Sequence, residues 1–133
     1  MRLTVGVFKL LADTSRIRIL LLLSRKELCV CQIMGVLDMA QPLVSRNLSL
    51  LYRAGFLEDR RDGKMMYYRL KKKLPPFLAR LTALIREELW NDPVFKADVR
   101  SLGDCTEYQK KTGKCDMVTF RAFMRKKQRT GKT

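Results

Sequence analysis

Gln41-Pro42-Leu43-Val44-Ser45-Arg46-Asn47-Leu48-Ser49-Leu50-Leu51-Tyr52-Arg53-Ala54-Gly55 runs directly into Phe56-Leu57-Glu58-Asp59-Arg60-Arg61-Asp62-Gly63-Lys64-Met65-Met66-Tyr67-Tyr68-Arg69-Leu70. The first half repeats with a helical period and the second with a period of two. At ~100° per residue, Val44, Leu48, Leu51 and Tyr52 fall on one side of the helix and are expected in the core. Pro42, Ser45, Arg46, Ser49 and Arg53 fall on the other. Pro42 suits the first helical position and Gly55 a left-handed C-cap. Beyond Gly55, Phe56 to Arg61 and Met65 to Leu70 read as strands around Asp62-Gly63, a dipeptide typical of a type I′ hairpin turn.

Upstream, the apolar segment Leu28 to Leu37 predicts the preceding helix, joined to the quoted one through Asp38-Met39-Ala40-Gln41. Two earlier helices are expected over Leu3–Ala12 and Ser15–Ser24, with Asp13-Thr14-Ser15 offering the capping side chains. Pro75-Pro76 opens a fifth helix, with Phe77, Leu78, Leu81, Leu84, Ile85 and Leu89 as its apolar stripe up to Trp90. Helix, short connection, helix and hairpin make a winged helix-turn-helix, mainly α with a short β-hairpin. Residues 1–92 form this DNA-binding and dimerisation domain. Residues 93–133 are a basic extension in which the pattern weakens; its part from residue 105 holds nine Lys+Arg against two Asp+Glu, and disorder is expected from Arg125.

The chain has 133 residues, 28 Lys+Arg against 13 Asp+Glu, a net charge of +15 and no histidine. One domain is expected at this length. The missing histidine excludes Ser-His-Asp and Cys-His catalysis and every imidazole-dependent zinc site. No apolar run approaches a membrane span, and the first residues lack the apolar stretch of a secretory signal, so a cytoplasmic protein is expected. The charge favours a polyanionic partner, because neutralising phosphates releases condensed counterions. A membrane surface is the competing partner, but the basic residues form no one-sided amphipathic stretch.

Gln41, Pro42, Ser45, Arg46, Ser49 and Arg53 are therefore candidates for contact with double-stranded operator DNA, since hydroxyls and arginines reach phosphates and guanine edges in a major groove. Arg60, Arg61 and Lys64 at the hairpin are candidates for phosphate contact, with Tyr67 or Tyr68 packing at the base of the wing. Most polar helix faces are merely solvated. Here the helix-turn geometry, the cationic hairpin tip and the overall charge together favour DNA. A homodimer on a palindromic site is expected, with the fifth helix either at the interface or covered by Phe8 and its neighbours.

The run Phe8-Lys9-Leu10-Leu11-Ala12-Asp13-Thr14-Ser15-Arg16-Ile17-Arg18-Ile19-Leu20, the helix Gln41 to Gly55 and the wing with Gly63-Lys64 and Tyr67-Tyr68-Arg69-Leu70 resemble the ArsR/SmtB family of metal-responsive repressors over about residues 5 to 90. Asn47 stands where the family usually has histidine, at the side of the DNA face. Glu27-Leu28-Cys29-Val30-Cys31 resembles the family's arsenic-sensing motif, so the resemblance implies a repressor released by arsenic(III), with antimony(III) following it.

Thiolates suit soft ions, and free N–H groups in a helix's first turn favour the anion. On a regular helix, however, residues i and i+2 point ~200° apart, so one ion shared by Cys29 and Cys31 must distort the first turn and with it the support of the next helix. The resemblance also implies a third cysteine where this chain has Met34. Cys105 or Cys115, from the same or the partner chain, could supply the third donor for arsenite; two thiols alone suit methylarsenite. The competing readings are small buried hydrophobes for Cys29 and Cys31, and a disulfide or redox pair for Cys105 and Cys115. Cadmium, lead or oxidant sensing through the same thiols is the alternative function. Zinc sensing through fifth-helix histidines is excluded, because Phe77 to Trp90 has none. An enzyme is disfavoured, as nothing resembles a βαβ unit or a phosphate loop. An architectural nucleic-acid binder with incidental thiols would bind DNA indifferently to metalloids.

Overall fold

The computed structural model describes residues 1–112; Cys115 and the end from Arg125 lie outside them. Six helices, α1 (Arg2–Leu11), α2 (Thr14–Leu23), α3 (Val30–Leu37), α4 (Gln41–Ala54), α5 (Pro76–Glu88) and α6 (Pro93–Thr112), accompany three strands, β1 (Leu28–Cys29), β2 (Leu57–Asp62) and β3 (Met65–Leu70). The antiparallel sheet has the order β1-β3-β2. The winged helix-turn-helix is present, and its hairpin gains a third strand where Leu28 and Cys29 pair with Tyr68 and Tyr67.

The core forms around α2, because Ile19 to Leu23 are apolar on every face and none is more than 2% exposed. Such a helix can only sit inside, and α3, α4 and the sheet close around it. Asp13 caps α2, accepting from the Arg16 N–H at 3.1 Å. Asp38 ends α3 in the left-handed region (φ 55), leaving only Met39 and Ala40 before α4 begins at Gln41 with Pro42 in its first turn. Gly55 adopts φ 97 as the C-cap of α4, as its sequence position predicts.

The hairpin turn differs from expectation by one residue. Asp62 pairs with Met65, so Gly63-Lys64 forms the loop, and only Gly63 has positive φ (62). A single left-handed residue at the first loop position is the type II′ pattern, not the type I′ one.

The stretch after Pro93, whose pattern weakens in the sequence, forms α6 and lies on α2 and α3. Its anchor is a bidentate pair: Arg18 donates from Nε to Asp98 Oδ2 at 3.0 Å and from a terminal nitrogen to Oδ1 at 2.9 Å. Asp98 is buried, and its hydrogen bonds push the Arg18 guanidinium pKa up. Among the described residues, no helix is long and apolar enough to cross a membrane.

Candidate nucleic-acid interface and thiol site

On α4, Gln41, Pro42, Ser45, Arg46, Ser49 and Arg53 are all exposed, while Val44, Leu48 and Leu51 are buried. Two residues depart from the helical wheel. Tyr52, expected in the core, is 45% exposed, since it flanks the exposed arc. Asn47, expected beside the DNA face, is 3% exposed, and its Oδ1 accepts from Arg16 Nε at 3.1 Å. Arg16 also donates to the Leu10 carbonyl at 2.9 Å. Asn47 is thus the polar contact that ties α4 to the α1–α2 junction, with its Nδ2 buried and unbonded. Sequence reasoning missed it because an uncharged amide beside arginines reads as outward-facing; its partner lies 31 residues upstream. Leu43, not singled out in the sequence, is also exposed on the first turn of α4.

Arg61 and Lys64 project from the wing tip into solvent. Arg60 has a second task. It donates to Glu27 Oε1 at 2.6 Å, lies 3.8 Å from Asp62 Oδ2 and stacks over the Tyr67 ring, 4.9 Å from its centroid. Its hydrogen bond holds the Glu27 carboxyl below the usual carboxylate range, against a smaller opposing effect of burial. Tyr68 packs on the core, and burial raises its phenol pKa. Arg69 makes a parallel pair with Glu58 at 2.6 Å.

Cys29 and Cys31 do not sit together on a regular helix. Cys29 is the extended N-cap of α3 (φ −90, ψ 171) and also the last residue of β1, paired with Tyr67. Cys31 is the second residue of the helix and half-buried. The ~200° separation of two helical positions therefore does not apply, since Cys29 precedes the helical backbone. The obstacle is burial instead: Cys29 is 1% exposed and its side chain faces the Gln32 backbone N–H in a capping box. Gln32 Oε1 completes the box by accepting from the Cys29 N–H at 2.8 Å. Met34 is buried in the core one turn further on, away from the cap.

Cys105 is buried on α6, in the apolar cluster shared with α3. Near it, Lys26 Nζ donates to Thr106 Oγ1 at 3.0 Å and Gln32 Nε2 donates to Gln109 Oε1 at 2.6 Å. Among the described residues, no three of His, Cys, Asp and Glu form a cluster able to hold a metal ion. Cys115, the other candidate donor, lies outside the described residues.

Known proteins share this organisation. Residues 13–59 match the profile described as "Bacterial regulatory protein, arsR family". The "Arsenical resistance operon repressor" of Escherichia coli K12 is 44% identical over 89 residues, 66% of this chain and 73% of that protein. The "Cadmium resistance transcriptional regulatory protein CadC" of Listeria innocua is 37% identical over 67 residues, 50% of this chain and 56% of that protein. Among solved structures, the homodimeric winged helix-turn-helix DNA-binding domain of Mb0332 from Mycobacterium bovis is 33% identical with a TM-score of 0.57, covering 69% of this chain and 82% of that one.

Proposed function

Because the chain belongs to the arsR family of bacterial regulatory proteins, a family of regulators and not enzymes, we propose that it is an arsenic(III)-responsive repressor that binds operator DNA as a homodimer. The observation that carries this reading is the position of Cys29, which at once caps the helix supporting α4 and pairs with Tyr67 in the wing. Any ion that moves Cys29 disturbs both DNA-facing elements over a few ångströms.

α4 enters the major groove with Gln41, Pro42, Ser45, Arg46, Ser49 and Arg53, and Arg61 and Lys64 hold phosphates. Arg60 positions the wing through Glu27 and reaches phosphate with its exposed edge. The dimer uses α1 and α5. Phe8 meets Phe77 edge-on at 6.0 Å, and around that contact Leu3 (87% exposed), Phe8 (54%) and Leu84 (58%) leave an apolar surface for a second copy.

Trivalent arsenic exchanges an oxygen ligand for each thiolate, each thiol proton leaving with the displaced hydroxide as water; no oxidant is needed. Cys29 and Cys31 supply two sulfurs, enough for methylarsenite. Arsenite, and antimonite after it, takes a third from Cys105 or Cys115. The ion binds the distorted cap better and DNA binds the regular cap better, so each weakens the other.

A titration of the reduced protein on its own promoter fragment, followed by fluorescence anisotropy, tests this. Release by arsenite or methylarsenite is expected. Release by cadmium or lead alone would instead establish the alternative, which the cadmium-resistance relative favours. Binding indifferent to all four would overturn the sensing reading.

A further inference from the structure

Gln32 is 8% exposed and uses both ends of its amide. Its Oε1 holds the Cys29 N–H at 2.8 Å, and its Nε2 reaches Gln109 Oε1 at 2.6 Å, 77 residues away on α6. One buried side chain thus stands between the cap of the thiol turn and the distal part of α6. Other holds on α6 include the bidentate Arg18–Asp98 pair near the start of the helix, the exposed Lys26–Thr106 bond and the packing of Leu102, Cys105 and Tyr108 on the core.

Resting on the thiol reading above, we propose that Gln32 is a positioning residue through which occupation of Cys29 and Cys31 undocks the distal turns of α6. Cys29 cannot meet an ion shared with Cys31 while it is buried and its thiol faces the Gln32 backbone N–H in the capping box. Once it turns out of the cap, its N–H turns with it and Gln32 Oε1 loses its donor. A buried amide left half-satisfied is costly, so Gln32 reorients toward a new donor and its bond to Gln109 is lost. Asp98 keeps the start of α6 in place. The turns carrying Cys105, Thr106 and Gln109 then lift from α3, and Cys105, now 6% exposed, meets solvent.

The sign of this coupling is testable by linkage. If ligand binding breaks the Gln32–Gln109 contact, a protein already lacking that contact binds the ligand more tightly. The probe is phenylarsine oxide, whose third arsenic bond is to carbon and leaves Cys105 uncoordinated. In the full chain, mass analysis should find the arsenical across Cys29 and Cys31, and iodoacetamide should then alkylate Cys105 faster than before. Gln109→Met should bind the probe about 2- to 10-fold more tightly, the range expected from one hydrogen bond, and alkylate readily at Cys105 without it. Gln109→Glu keeps an acceptor for Gln32 and should restore wild-type affinity and protection. A merely structural contact would leave the affinity of Gln109→Met unchanged or weaker. That result, or an adduct at Cys29–Cys31 with no change at Cys105, overturns the coupling alone; no adduct overturns the thiol reading and the coupling with it.

Discussion

Arg60 on the wing closes onto Glu27 at 2.6 Å, two residues before Cys29 and 33 residues before itself. The pair fastens the tip-bearing hairpin to the strand that leads into the thiol cap. β1 pairs with the edge of β3 opposite to the one that carries β2 and Arg60, so the wing and the cysteines form one mechanical unit.

The Glu27–Arg60 pair has a defined pH signature. Its carboxyl is held below the usual range by the Arg60 hydrogen bond, so its stabilisation is complete above the unfolded value of about 4.3 and is lost as pH falls through the lower folded value. Glu27→Gln should therefore lower the thermal midpoint by a constant amount from about pH 8 to about pH 5, and the difference from wild type should shrink as pH falls below the unfolded value and vanish only below the lower folded one. A difference that grows on acidification would contradict the assignment.

Arg46 lies on the exposed arc of α4. Arg46→Ala should weaken promoter binding by about 1–3 kcal/mol while leaving methylarsenite affinity unchanged. Equal promoter affinity in a gel-shift titration would remove Arg46 from the interface.

Arg61 and Lys64 are exposed at the wing tip. Replacing either with Ala should weaken binding to all sequences alike and reduce the slope of log affinity against log salt by about 1. An unchanged slope would place the wing away from phosphate.

Gly55 has φ 97, and a Cβ there would meet Leu78 Cδ1 at 3.4 Å. Gly55→Ala should cost about 1–2 kcal/mol in a denaturant melt, chiefly through the left-handed backbone. Unchanged stability would mean that α4 ends elsewhere.

The sequence made the elements of local pattern legible: α4 with its glycine cap, the two long wing strands, the cationic arc and the thiol pair. What it hid depends on partners distant in the chain. Asn47 reads as outward-facing until Arg16 is placed against it, and the order of α6 depends on Asp98 finding Arg18 across 80 residues. The periodicity of Leu28 to Leu37 also concealed that its first two residues are strand. An extended pair ahead of a helix has no period of its own, and only the open edge of β3 gives Cys29 its extended backbone. The error of one residue at the hairpin arose because Asp62-Gly63 and Gly63-Lys64 both place a glycine in the loop.

The central claim is that Cys29 and Cys31 govern DNA affinity, and the doubly substituted Cys29→Ser, Cys31→Ser chain tests it most directly. Serine is a preferred N-cap, so the start of α3 should keep its geometry and the variant should bind promoter DNA as the wild type does. Measured by anisotropy at a methylarsenite concentration that weakens wild-type binding by about 5- to 150-fold, the variant should remain bound with unchanged affinity. A variant released as readily as the wild type would contradict the account.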